Sequence, residues 1–137
     1  MRLRAWTDGA SRGNPGDAGI GVIVKGEDDA VLIEERRYLG TTTNNQAEYT
    51  ALIVCIEKIL AHPATQSCTA LQVYADSELM VKQLKGEYKV RDEGLKVHYA
   101  RACELLKKAP FSFSISHVPR AQNKEADRLA NEGIDFR

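Results

Sequence analysis

The sequence predicts an α/β domain built on a five-stranded mixed sheet flanked by helices. The first three strands run antiparallel, and the fourth and fifth lie parallel to the first. Three observations carry this reading. The order of patterns along the chain is three strands, helix, strand, two helices, strand, helix. The links between the first three strands are short, as in a meander, whereas strands four and five each follow helices and reach the sheet by right-handed crossovers. The 137 residues fit one domain, spanning 1–137, with no internal repeat, low-complexity tract or interdomain linker.

From Leu3 to Thr7 the chain alternates, with Leu3, Ala5 and Thr7 on one face and Arg4 and Trp6 on the other. Asp8-Gly9 ends that strand, and Ala10 to Asp17, holding Gly13-Asn14-Pro15-Gly16, reads as a turn-rich loop. Ala18 to Lys25 is the second strand, and its glycines suggest a bulge or a close backbone approach. After the turn Gly26-Glu27-Asp28-Asp29 comes a third strand, Ala30 to Leu39. A helix follows from about Asn45 to Ala61, closed by His62-Pro63. Leu71 to Ala75 is the fourth strand, and Ser77 can cap a helix running to about Leu84. A charged connector, Gly86 to Gly94, leads to a long helix, Leu95 to Lys108. Its weak stripe is Val97, Ala100, Cys103 or Glu104, and Lys107. Phe111 to Ser116 is the fifth strand, with Phe111, Phe113 and Ile115 on one face. His117 to Gln122 reads as a loop, and the last helix runs from an Asn123 N-cap to about Glu132.

Composition excludes some function classes. No apolar run approaches the roughly 20 residues that span a bilayer, and the N-terminal stretch Met1 to Trp6 has no signal-peptide character. Cys55, Cys68 and Cys103 are odd in number and lack metal-type spacing, so reduced thiols and a cytoplasmic location are expected. Nineteen basic residues balance nineteen acidic ones, which argues against a purely electrostatic nucleic-acid binder. It leaves room for one whose acids are gathered at a metal site.

Four carboxylates occupy unusual places. Ala51, Leu52, Cys55 and Ile59 form an apolar helical stripe, and at 100° per residue Glu48 lies in the middle of it. Either a Lys or Arg of the chain pairs this carboxylate, or it lies just past the edge of the core, or a cation from outside the chain pairs it. Asp127 repeats the oddity beside Ala130 and Ile134 on the last helix. Asp8 and Asp76 end strands one and four, where open α/β sheets bind ligands. Taken singly, Asp8-Gly9 is a turn and Asp76-Ser77 a helix start. Together, four elements each offer a carboxylate toward a common edge. Such a cluster repels itself unless cations neutralise it, and oxygen-only donors suit Mg²⁺ or Mn²⁺.

At these residues the chain resembles the type 1 ribonucleases H over essentially its whole length. The resemblance rests on Thr7-Asp8-Gly9 with Gly13-Asn14-Pro15-Gly16, on Thr43-Asn44-Asn45-Gln46-Ala47-Glu48, on Asp76-Ser77, and on Asn123-Lys124-Glu125-Ala126-Asp127-Arg128-Leu129-Ala130. Any one of these is weak, but all four in this order are specific. The resemblance implies a ribonuclease-H-like fold and cleavage of the RNA strand of RNA–DNA hybrids, leaving 5′-phosphate and 3′-hydroxyl ends. It implies that Asp8, Glu48, Asp76 and Asp127 hold two Mg²⁺ ions, with Mn²⁺ as a substitute. His117, in the loop before the last carboxylate helix, is implied as a proton shuttle or aid to product release. Asn14, Thr43, Asn44 and Asn45 match hybrid-contacting positions, and Glu48 can also accept from a 2′-hydroxyl.

The chain departs from the family in its connector. Many members carry a basic insertion where Lys85, Lys89 and Arg91 are here offset by Glu87, Asp92 and Glu93. A compact form without a hybrid-binding module is expected, and Glu78 is acidic where a neutral polar contact is expected. Double-stranded RNA is a second candidate substrate. A silent binding module is the alternative of another class, and the intact carboxylate set argues against it. A monomer with no membrane association is expected.

Overall fold

Long antiparallel strands occupy the first third of the chain. In the computed structural model, which describes residues 1–137, β1 (Arg2–Gly13), β2 (Gly16–Lys25) and β3 (Val31–Thr42) form a meander. After α1 (Asn44–Ala61), β4 (Ala70–Ala75) joins β1 in parallel. After α2 (Glu78–Leu84) and α3 (Glu93–Lys108), β5 (Ser112–His117) joins β4 in parallel, and α4 (Lys124–Asp135) follows. The sheet order β3-β2-β1-β4-β5 is the mixed arrangement expected.

The alternation of β1 decides what each face carries. Leu3, Ala5 and Thr7 are buried beneath α1, in a core with Val22, Val24, Leu52, Ile56, Ile59 and Leu71. Each such large side chain contributes roughly 1.5–3 kcal/mol by leaving water. The opposite face of β1 and β2 is covered by α4. A Cβ on Gly21 would lie 2.1 Å from the Ala126 carbonyl oxygen, so only glycine permits that approach. This is the close approach that the glycines of strand two suggested.

Several boundaries differ from expectation. The stretch Ala10 to Asp17 is not a loop: β1 and β2 stay paired until Gly13 faces Gly16, leaving only Asn14-Pro15 at the turn. Ladder hydrogen bonds between partners remote from the turn override local turn chemistry there. Strand three runs on to Thr42, and α1 begins at Asn44. Helix α3 begins at Glu93, capped by Asp92, and it buries Leu95, Ala102 and Leu105 rather than the stripe through Val97. Val97 is 70% exposed. Apolar residues occur on both sides of this helix, and packing on α1 selects between them. Asn123 precedes α4, but its side chain makes no cap bond. Its Nδ2 donates instead to the Thr7 carbonyl, at 2.9 Å, tying the last loop to β1. Ser77 does cap α2, accepting from Met80 N–H. No helix is long and apolar enough to cross a membrane, and all three cysteines are free thiols.

Candidate active site

The parallel pairing of β1 with β4 ends where Thr7 lies beside Ala75, just before Asp8 and Asp76. Asp8 does not end its strand as expected but stays in β1 opposite Gly21, because pairing with β2 continues to Gly13, whereas Asp76 follows the last residue of β4. Helix α1 brings Glu48 to the same point because Gly9 lets it close. A Cβ on Gly9 would lie 2.3 Å from the Ala47 carbonyl carbon. The Gly9 N–H then donates to Glu48 Oε1 at 2.9 Å, which fixes one carboxylate oxygen and leaves the other free. Asp8 and Glu48 are each only 4% exposed. Carboxylate oxygens of Asp8, Glu48 and Asp76 lie within 4.8 Å of one another. Glu48 therefore has no Lys or Arg partner, and the first alternative for its burial falls away.

Asp127 stands at the rim of this group. It lies in hydrogen-bonding reach of Asp8, takes the Arg120 guanidinium at 3.4 Å and receives Asn131 Nδ2 at 3.5 Å. All four carboxylates line one open cleft of about 490 Å³. Burial pushes the Asp8 carboxyl up to about 10, with the Glu48 and Asp76 charges adding to it. Burial likewise holds Glu48 well above the ordinary carboxyl range. Asp76 reinforces this, and the Gly9 N–H pulls partly back. A cluster of hard oxygen donors whose members resist ionising together fits a divalent cation, which would supply the missing positive charge.

The remaining expected residues sit as follows. Asn14, at the hairpin turn, accepts from the Asn44 N–H at 3.1 Å and so joins the hairpin to the start of α1. Thr43 caps α1 by accepting from Gln46 N–H at 3.2 Å. Asn44 lines the cleft and Asn45 is exposed in the first turn beside it. His117 is not in a loop. It is the last residue of β5, opposite Ala75, exposed and outside the cleft lining. Its neighbour is Glu78, whose carboxyl is lowered mainly by Lys82 and in smaller part by His117. Reading the sequence missed Arg120, Arg12 and Asn131, all of which line the cleft. Arg120 had a signal, being the lone cation of the loop that leads to the Asp127 helix. Arg12 and Asn131 had none, because only the finished hairpin brings them together.

This fold, with acids from β1, α1, β4 and α4 converging at the sheet edge, defines the ribonuclease-H-like class. Residues 6–133 match a family described as reverse transcriptase-like. The chain is 42% identical to ribonuclease HI of Halobacterium salinarum, over 98% of this chain and 65% of that protein. It is 39% identical to a bifunctional protein of Mycobacterium tuberculosis, over 98% of this chain and 36% of that one. It thus spans about two thirds or less of these curated relatives. Among solved structures, LC11-RNase H1, determined in complex with an RNA/DNA hybrid, superposes with a TM-score of 0.92 at 40% identity, covering 98% of this chain and 97% of that one. The chain belongs to the type 1 ribonuclease H family.

Proposed function

We propose that residues 1–137 act as one catalytic domain that hydrolyses the RNA strand of RNA–DNA hybrids with divalent metal ions. The observation that supports this most is the buried triad Asp8, Glu48 and Asp76, with oxygens within 4.8 Å and no cation of the chain among them. In this reading the triad and Asp127 hold two Mg²⁺ ions, with Mn²⁺ able to replace them. Bound ions of this kind lower the pKa of an attacking water and neutralise charge on the leaving oxygen.

The chain's own groups do the rest. The Gly9 N–H keeps Glu48 turned into the cleft. Arg120 offers a guanidinium beside Asp127, where a phosphate would carry negative charge. Asn14, Thr43, Asn44 and Asn45 ring the start of α1 and present amides and a hydroxyl to backbone and sugar, whose 2′-hydroxyl distinguishes RNA from DNA. His117 serves from the outer end of β5 as a proton carrier or an aid to product release. The products carry 5′-phosphate and 3′-hydroxyl ends. A monomer in the cytoplasm suffices for this work.

The test is incubation of the pure protein with labelled hybrid, duplex RNA and duplex DNA, with Mg²⁺, with Mn²⁺ and in chelator. Metal-dependent cutting of the hybrid RNA strand is the expected result, and cutting of duplex RNA as well would widen the substrate class. Equal cutting of duplex DNA, or cutting in chelator, would refute the proposal.

A further inference from the structure

The β1–β2 hairpin reaches across the cleft mouth and touches both helices that carry acids. On one side Asn14 receives the Asn44 N–H of α1. On the other, Arg12 forks onto α4, with Nη1 donating to Asp135 at 2.5 Å and Nη2 to the Asn131 amide oxygen at 3.3 Å. The Asn131 amide is thereby oriented. With its oxygen facing Arg12, its Nδ2 faces back along α4, donating to the Asp127 carbonyl at 3.0 Å and reaching the Asp127 carboxylate at 3.5 Å. Arg12 and Asn131 both line the carboxylate cleft. The planar fork of a guanidinium holds two acceptors at once, which a lysine ammonium on a flexible stem does not.

We propose that Arg12 and Asn131 form a positioning pair that sets the Asp127 carboxylate and links it to the hairpin tip. The inference rests on the proposed metal site. Neither residue is catalytic. Arg12 fixes which way the Asn131 amide faces, and Asn131 fixes the rotamer of Asp127. Because the same hairpin carries Asn14, its placement on a substrate and the readiness of Asp127 for an ion are one mechanical property.

The test compares wild type with Arg12→Ala, Arg12→Lys, Asn131→Ala and the Arg12→Ala/Asn131→Ala double variant. Four readouts are taken: Mn²⁺ affinity by calorimetry without substrate, hybrid affinity in chelator, the kcat and KM of hybrid cleavage, and the melting temperature. Outer groups that orient metal ligands typically affect ion affinity or turnover by about tenfold or more. We expect both single alanine variants to weaken Mn²⁺ binding and lower kcat by about tenfold, with KM and chelator-phase hybrid affinity nearly unchanged. The double variant should be no worse than Asn131→Ala alone, since the two act in series. Arg12→Lys should behave as Arg12→Ala. Loss of hybrid affinity alone, rescued by Arg12→Lys, would overturn the proposal and make Arg12 a phosphate contact. Additive losses would overturn it too, as would a lowered melting temperature with unchanged ion affinity. A wild type that binds Mn²⁺ yet cuts no hybrid would refute the activity, and the calorimetry would still judge the pair.

Discussion

At the scale of single residues, the site holds like charges in a dry place. The raised Asp8 and Glu48 carboxyls mean that the folded chain keeps these protons more tightly than the unfolded chain does. That contribution favours folding at acid pH, is fully present below about pH 4, and is lost as the pH rises toward about 10. Near neutrality the metal-free fold therefore carries a penalty. Asp8→Asn should remove it and stabilise the protein in chelator by about 1 kcal/mol or somewhat more. Mg²⁺ should narrow the gap, because the intact site binds the ion better. Thermal melts of both proteins in chelator and in millimolar Mg²⁺ check this, and a mutant that melts lower in chelator contradicts it. Position also separates the two candidate helpers. Arg120→Ala should lower turnover by at least about tenfold, and by more than His117→Ala, since Arg120 touches Asp127 and His117 stands outside the cleft. Turnover across pH 6 to 9 for both variants decides which residue serves the reaction.

At the scale of elements, each acid depends on a backbone approach. Gly9→Ala would put a methyl group into the Ala47–Glu48 backbone. Helix α1 must then move and take Glu48 with it, at a cost of about 1–3 kcal/mol, together with loss of ion affinity. Melting and Mn²⁺ calorimetry report the two effects separately, and an unchanged affinity would show that α1 accommodates the methyl in place. The same elements show what the sequence revealed. Glu48 stood out because an acid inside an apolar stripe is anomalous, and its anomaly pointed to its place. The strand directions followed from connection lengths. The hairpin did not, because its turn residues are spread over four positions while the pairing that overrides them is set by β1 and β2. The face of α3 was misread because its apolar residues lie on two sides and only α1 chooses. Asn123 looked like a cap and serves instead as a tie to Thr7.

At the scale of the whole molecule, charge is balanced and largely spent in pairs. Arg36 with Glu132, Arg101 with Glu57 and Lys82 with Glu78 each occupy a cation at the surface. Such pairs add little stability, about 0–1 kcal/mol each, but they leave few free cations for phosphates. Hybrid binding should accordingly weaken with salt along a shallow slope, well below that of about ten phosphate contacts. A titration of hybrid affinity from low to moderate salt measures it, and a steep slope would reveal a basic surface formed on binding.

In the proposed function Asp8, Glu48, Asp76 and Asp127 gather metal ions to cut RNA paired with DNA. The most direct measurement is single-turnover cleavage of a hybrid labelled separately on each strand, at saturating Mg²⁺, by wild type and by Glu48→Gln. Wild type should cut only the RNA strand, leaving 3′-hydroxyl ends, and Glu48→Gln should fold but nearly cease to cut. Near-normal cleavage by Glu48→Gln, or cutting of the DNA strand by wild type, would contradict it.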